Sequence, residues 1–580
     1  MRGLLNCGIF HLLRVRTIVA FVCAAMAIPS SGQTFTTLVQ FDVNTDGAGP
    51  QYGALVQGRD GSLYGTTSGG TTNSTAGTVF KMTPDGTLTT IYYFCSQPKC
   101  ADGHTPVAGL VMGTDGNFYG TTNSGGDLSC GYPYGCGTVF KLTPARKLTT
   151  LHTFTGQGDG AGPFASLAQG LNGSFYGTTG SEGGDGTVFK ITPSGTLSTV
   201  HFFGRPDGLW PISGPALGID GNFYGTTVGG GTSSNCNDGC GTVYRMTPAG
   251  KLTMLHGFDL TDGTEPVGGV VQAAGGNLYG TTALGGTSPV CAGLYADGCG
   301  TVFAITPAGK FTTLYNLCSL SNCVDGVNPY GTLIQATDGN LYGTASAGGA
   351  LGYGTLFQIT TSGAFKVLHN FDRDNGGVPY AGLMQATNGI LYGTTYYGGM
   401  PPSCNYGCGS IYSLDLGLSP FVEALTYSGK VGKTIEFLGQ GFTSSTAVSF
   451  NGTPATPSVK SGTYLTAVVP SGATTGFVTI TTSSGSLQSN KIFRVNPQIK
   501  SFTPTSGPAG TVVTVVTITG VSLTQTTKVT LGENGRVHGQ FRHTGHDHRA
   551  HRSEDGQDCN RDCRRSRYQR GDVYSHAVAR

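Results

Sequence analysis

Few side chains in this 580-residue chain have both the type and the spacing for chemistry. The histidines that recur, His152, His201, His256 and His369, all stand in one pattern, "LHTF" or a close variant. Repetition marks them as packing positions of a fourth strand, because a reaction needs its acid or base at one point only. Glutamate is scarce, with only Glu182 and Glu265 between residues 33 and 416. Glu265 and His104 are therefore the first residues to suspect if the chain is an enzyme. No Gly-x-Ser-x-Gly elbow, His-Glu-x-x-His helix, P-loop or dinucleotide fingerprint stands in a supporting context, so no catalytic residue is assigned.

One stretch has the spacing of a calcium loop, the sole cofactor the sequence suggests. "DVNTDG" puts Asp42, Asn44 and Asp46 at alternating positions before a glycine turn, without the distal glutamate of an EF-hand. "DRDNGG" (372–377) is a fainter echo. The other reading is an Asx-stabilised turn, since Asp-Gly-x-x-Pro starts at Asp46, Asp102, Asp159, Asp207, Asp262 and Asp325, mostly without upstream ligands.

Cysteine supplies a third kind of chemistry. Of sixteen cysteines, Cys7, Cys23, Cys559 and Cys563 lie near the termini. The rest form close pairs: Cys95 with Cys100, Cys130 with Cys136, Cys236 with Cys240, Cys291 with Cys299, Cys318 with Cys323 and Cys404 with Cys408. On an exported chain such pairs read as local disulfides. Zinc would want Cys-x2-Cys spacing and two converging pairs. Export is expected because Arg2, Arg14 and Arg16 precede a short apolar run, "TIVAFVCAAMAI", and then "PSSGQ", the layout of a signal peptide over 1–32. That run is too short to span a bilayer.

The elements that carry these groups follow from a repeated unit: "GLVMGTDGNFYGTT", a glycine-led loop, "GTVFKLTP", a turn, "KLTTLHTF" and a loop ending Asp-Gly-x-x-Pro. Strands are expected near 110–112, 118–122, 138–143 and 148–154, alternating apolar and polar residues between turn signals. Asp-Gly makes the hairpin, the tyrosine packs between units, and Gly-Thr-Thr continues the second strand where a neighbour comes close. With 97 glycines and 11% charged residues, the composition suits an all-β chain. The tyrosine of Tyr-Gly-Thr recurs at Tyr64, Tyr119, Tyr176, Tyr224, Tyr279, Tyr342 and Tyr392. A period of about fifty residues with four strands predicts a seven-bladed β-propeller over 33–416. "TFTTLVQF" (34–41) is expected to complete the last blade, which stops after "GSIYSLDL" (409–416). This closure removes an open sheet edge.

In such a meander the loops after the second and fourth strands open on one face, and these hold all six cysteine pairs. They also hold the candidate binding aromatics Tyr132, Tyr134, Trp210, Tyr295, Tyr353, Tyr397 and Tyr406. Stapled loops on a rigid scaffold are common binding sites; the alternative is that the disulfides only stiffen glycine-rich loops.

The unit resembles the GloVer tandem repeat of bacterial choice-of-anchor surface proteins over about 34–416. The resemblance implies export and surface display, with the array followed by a variable attachment segment, and carries no catalytic residues. Residues 417–495 resemble an IPT/TIG immunoglobulin-like domain, and a truncated second copy covers 496–532. Such modules bind partners or act as spacers.

In 533–580 ten of nineteen arginines and six of twelve histidines occur, without lysine. "RHTGHDHRAHR" (542–552) invites a metal-binding reading. Yet a one-base shift with permitted codons over 541–563 can restore a pattern like "LTAVVPSGATTGFVTITT" (465–482), so an out-of-frame, disordered tail is expected. A formal charge of +2 argues against nucleic acid as partner. The expected function is non-catalytic binding of an extracellular glycan or protein by a monomer, secreted or on the bacterial surface. The alternative is a propeller enzyme, a polysaccharide lyase or hydrolase, working at the same face.

Overall fold

A computed structural model describes residues 32–70, 76–130, 134–180, 184–292, 297–399, 404, 407–503 and 516–523, with short backbone strands at 530–531, 535–536, 539–544, 547–552 and 573–574. The signal segment, Tyr132, Tyr295, Tyr406, Cys559 and Cys563 lie outside the described residues. Those residues are nearly all β, with one four-residue α-helix, Pro289–Ala292.

Each repeat forms a four-stranded antiparallel sheet whose strands are adjacent in chain order. One consists of Val111–Met112, Phe118–Thr122, Thr138–Leu142 and Leu148–Thr153. Seven such sheets lie between Thr34 and Asp415. In the last, Thr34–Gln40 pairs antiparallel with Ser410–Asp415 and supplies the fourth strand. Strict alternation fails in the second strand, where every residue of Phe118–Thr122 is buried. Its two faces are covered by neighbouring sheets, and solvent access falls mainly to the first and fourth strands.

The repeated Asp-Gly-Asn-Phe-Tyr-Gly-Thr-Thr has a contact for almost every residue. Asp115 accepts from the Asn117 N–H (3.1 Å), the Tyr119 hydroxyl (2.7 Å) and Lys141 Nζ (2.9 Å). The Tyr119 ring stacks on Phe175 of the next sheet, centroids 4.0 Å apart. At Gly120 a Cβ would meet the Phe140 ring at 2.5 Å, so the residue must be glycine. Thr121 reaches the Ala165 carbonyl of the next sheet, and Thr122 pairs with Thr138 within its own, at 2.8 Å.

The Asp-Gly-x-x-Pro stretch joins successive sheets. The residue before each proline (Gly49, Thr105, Gly162, Trp210, Glu265, Asn328 and Val378) has φ between 52° and 63°. For β-branched Thr105 and Val378 this left-handed backbone costs ~1–3 kcal/mol. Two backbone bonds hold it. The Thr105 N–H donates to the Ala76 carbonyl of one sheet (2.7 Å), and its carbonyl accepts from the Asn123 N–H of the next (3.0 Å). Gly49 links the last sheet to the first in the same way, through the Cys408 carbonyl (2.9 Å) and the Ser68 N–H (3.0 Å). The Thr387 N–H also donates to Gln57 Oε1 at 3.0 Å, a second link between these sheets.

After the array, two four-stranded sheets share a core that includes Val422, Phe437, Phe450, Leu465, Val478 and Phe493. One is ordered Glu423–Ala424, Thr434–Leu438, Tyr464–Val468, Pro457–Ser461. Beyond it, Gln498–Thr503 pairs with Val516–Val521, which pairs with Asp547–Arg552 and that with Gly539–Thr544. Strands thus fall inside 533–580, where composition suggests disorder, and in the order of the preceding sheet.

Candidate binding face

The recurring fourth-strand side chains serve the joints. His152, His201 and His256 bond Asp159, Asp207 and Asp262 at 3.1, 2.8 and 2.8 Å, and Tyr92 and Tyr315 bond Asp102 and Asp325 in the same manner. His369 Nε2 is buried without a hydrogen-bond partner among the described residues. Burial pushes its pKa down.

Opposite faces of the array are used differently. The turns between first and second strands receive the C-terminal module. Arg59 pairs with Glu436, lies 4.8 Å from the Tyr464 ring centroid and donates to the Thr114 carbonyl at 3.0 Å. Thr463 Oγ1 donates to the Arg59 carbonyl (2.8 Å), and the Phe421 N–H to the Thr387 carbonyl (3.0 Å).

On the other face, the loops after second and fourth strands run together. Short bridges join Ala48 to Gly69, His104 to Ser124, Leu209 to Gly229, Thr264 to Leu284, Val327 to Ala347 and Gly377 to Tyr397. Six disulfides staple this face, each within its own loop. Cys95 is bonded to Cys100, Cys130 to Cys136 and Cys236 to Cys240. Cys291 is bonded to Cys299, Cys318 to Cys323 and Cys404 to Cys408, so every pair is the one expected from spacing. Cys136, Cys240 and Cys408 are buried in hydrophobic clusters of the array, and their bridges anchor each loop to the core. Cys100 is half-buried, and its carbonyl accepts from the Gly103 and Gly126 N–H groups, both at 2.9 Å. The sulfurs of Cys299, Cys318 and Cys323 lie within 4.8 Å of one another, a spacing that could suit a metal. All three are oxidised, in the Cys291–Cys299 and Cys318–Cys323 bridges, and offer no thiolate.

Of the candidate aromatics, Tyr134, Tyr353 and Tyr397 are exposed (67%, 39% and 40%). Trp210 is half-buried at a joint, its six-membered ring set against Gly229. Tyr397 stands 4.5 Å from Tyr396, centroid to centroid, and Tyr396 opens a cluster absent from the sequence-derived set. Tyr396, Tyr380, Tyr330 and Tyr52 are half-buried and in contact: Tyr380 lies 5.5 Å from Tyr396, 5.2 Å from Tyr330 and 5.6 Å from Tyr52. Burial raises all four phenol pKa values, so the rings are neutral. A signal was present in the sequence. Tyr330 and Tyr380 follow the joint proline, where other repeats carry Val107, Phe164, Ile212 and Val267.

Glu265 belongs to the same region and is electrostatically coupled to Tyr330. Burial first, and Asp297 second, push its carboxyl pKa up. His104, its pKa lowered by burial, faces Thr105 at a different joint. No described contact brings it to Glu265. At Asp42, Oδ1 accepts from the Asn44 N–H and side-chain amide (2.9 and 3.0 Å), and Asp46 Oδ2 from the Asp42 N–H (3.3 Å). These bonds make an Asx turn.

The repeated unit and its tandem sheets settle the relationship. The chain belongs to the Gloeobacter/Verrucomicrobia repeat family, whose model matches residues 27–134, 128–320, 232–453 and 296–549. No curated protein matches this member of the repeat family. Among solved structures, it is similar to a fungal alcohol oxidase in complex with copper: 14% identity over 78% of this chain and 98% of that one, TM-score 0.45. A putative gluconolactonase (12% identity, 67% and 94% covered, TM-score 0.33) and a gluconolactonase from Xanthomonas campestris (12%, 67% and 92%, TM-score 0.32) are further likenesses. Six disulfides fit an extracellular member of the family. Among the described residues no helix is long and apolar enough to cross a membrane.

Proposed function

We propose that the repeats close into a seven-bladed β-propeller, followed by an IPT/TIG module and a second, partial one, and that the chain is an exported, surface-displayed, monomeric binding protein. Closure is supported by the Gly49 and Gln57 links between the last and first sheets. The observation that carries the binding reading is the asymmetry of the two faces. One is uniform and receives the C-terminal module, while the other is variable, stapled and aromatic. Its partner is an extracellular glycan or protein. Mature chain, residues 33–580, screened against a glycan array and cell-surface extracts, should retain a partner whose binding is lost on proteolytic nicking of the stapled loops. Binding that survives such nicking and follows the 417–495 module instead would sink the reading.

A specific observation keeps the enzyme reading in view, since the raised pKa of half-buried Glu265 suits a general acid. Turnover of a captured polysaccharide, abolished by Glu265→Gln, would select it. The 533–580 tail is proposed to be out of frame. Resequencing the gene should find a one-base slip near the codons for 531–540, whereas tail peptides in the exported protein would refute it.

A further inference from the structure

We infer that Tyr52, Tyr330, Tyr380 and Tyr396, with Glu265, form a subsite on the loop face for a pyranose ring of a neutral glycan. This rests on the binding reading above and names its site and ligand class. The four tyrosines come from three successive joints and the adjoining strand end, yet their rings touch in a continuous series at 5.2–5.6 Å. Tyr52 and Tyr396 stand where no other repeat has tyrosine, and Tyr330 and Tyr380 share one position that is Gln51, Val107, Phe164, Ile212 and Val267 in the other repeats, so packing of the repeat does not call for them.

The chemistry of the rim narrows the ligand. Among the described residues the Tyr330, Tyr380 and Tyr396 hydroxyls make no hydrogen bond, and none is sealed from solvent. Three phenol hydroxyls and a carboxylate beside half-buried rings match alternating hydroxyls and C–H faces, the two kinds of surface a pyranose presents. Glu265 and Asp297 put negative charge at one end. Uronates and sulfated sugars are therefore repelled. A quaternary ammonium ion needs ring faces disposed around it. Tyr380 meets Tyr330 edge-on at 5.2 Å and 89°, and rings in direct contact leave no space between them for an enclosed cation.

Isothermal titration of the mature chain tests this with cellohexaose, xylohexaose, mannohexaose and chitohexaose as neutral probes, and hexagalacturonate and tetramethylammonium as counter-probes. One neutral probe is expected to bind, weakened about ten-fold or more by Tyr380→Ala, the loss of one stacking partner with its hydroxyl. Tyr380→Phe, which keeps the fold and the ring, should weaken it less, and Leu171→Ala, at an exposed turn of the other face, should not change it. Binding sensitive to Tyr134→Ala but not to Tyr380→Ala would overturn the subsite while leaving the loop face as binding surface. Binding of tetramethylammonium or hexagalacturonate in place of the neutral probes would overturn the ligand class. No binding by any probe, from a chain that still captures a partner through its loops, would overturn the inference alone.

Discussion

At the face carrying the strand-one to strand-two turns, Asp60, Asp115, Asp220 and Asp338 each bond the tyrosine four residues on. At the opposite face the equivalent positions of successive joints hold Thr105, Trp210, Glu265, Asn328 and Val378. Both faces come from the same repeats. What differs is how each side chain is used: the first set is spent within its own hairpin, whereas the second is held through its backbone, with side-chain bonds added at Thr105 and Asn328. A side chain whose position needs no bond of its own is free to vary. The comparison teaches that the left-handed joint, rather than the strand, frees this face for specialisation.

The largest effect should come from breaking the frame that both faces share. Phe35, Leu38 and Val39 of the first strand pack into two hydrophobic clusters of the array. At roughly 1.5–3 kcal/mol per side chain, deleting residues 34–40 should cost on the order of 5 kcal/mol and broaden the calorimetric transition. An unchanged, equally sharp melt would show that the circuit does not depend on this strand.

Reducing the disulfides should separate the faces. Each closes a loop of a few residues and is worth about 2 kcal/mol, and all six lie on the loop face. Limited proteolysis after reduction is expected to cut near Tyr134 and the other cysteine loops first, leaving the Asp-Gly turns intact. Equal cutting on both faces would remove the distinction.

A control between the faces is Tyr412. Its hydroxyl is buried without a partner among the described residues, at a position that is Phe80 and Phe140 in other sheets, and burial drives its pKa far up. Tyr412→Phe should stabilise the chain by about 1–3 kcal/mol and alter binding at neither face, as chemical denaturation and titration can check.

Arg59→Ala removes an ion pair, a cation–π contact and a bond to the Thr114 carbonyl from the turn face. About 1–2 kcal/mol is expected, read as faster hydrogen exchange in Thr434–Leu438 and Tyr464–Val468 with the loop face unaffected.

The smallest effects are opposite in sign. Burial raises the Asp115 pKa, but bonds from Tyr119, Asn117 and Lys141 outweigh it and bring it down to about 2. Its contribution is therefore present above the unfolded value and lost as pH falls through about 4 to 2. The Glu265 pKa is raised, so the folded state holds its proton more tightly and stability falls as pH climbs from the unfolded value through the folded one. Melts of Asp115→Asn and Glu265→Gln across acid pH should flatten these two slopes separately. One common slope would mean the carboxyls share an environment.

Local features were legible in the sequence alone. Strand type, the Asp-Gly hairpin, the glycine where a neighbour comes close and the pairing of cysteines four to eight residues apart depend on neighbours along the chain, and repetition made them readable. Packing on both sides of the second strand was not, because alternation describes one sheet and burial depends on the next. Only the tertiary structure put Tyr52 beside Tyr380, 380 − 52 = 328 residues apart in sequence, and Glu265 near Tyr330. The sequence marked these residues as departures from the repeat. Which departures would meet was decided by the order of the sheets, since a contact across joints is set by their spacing around the array rather than by any local preference of the residues that make it.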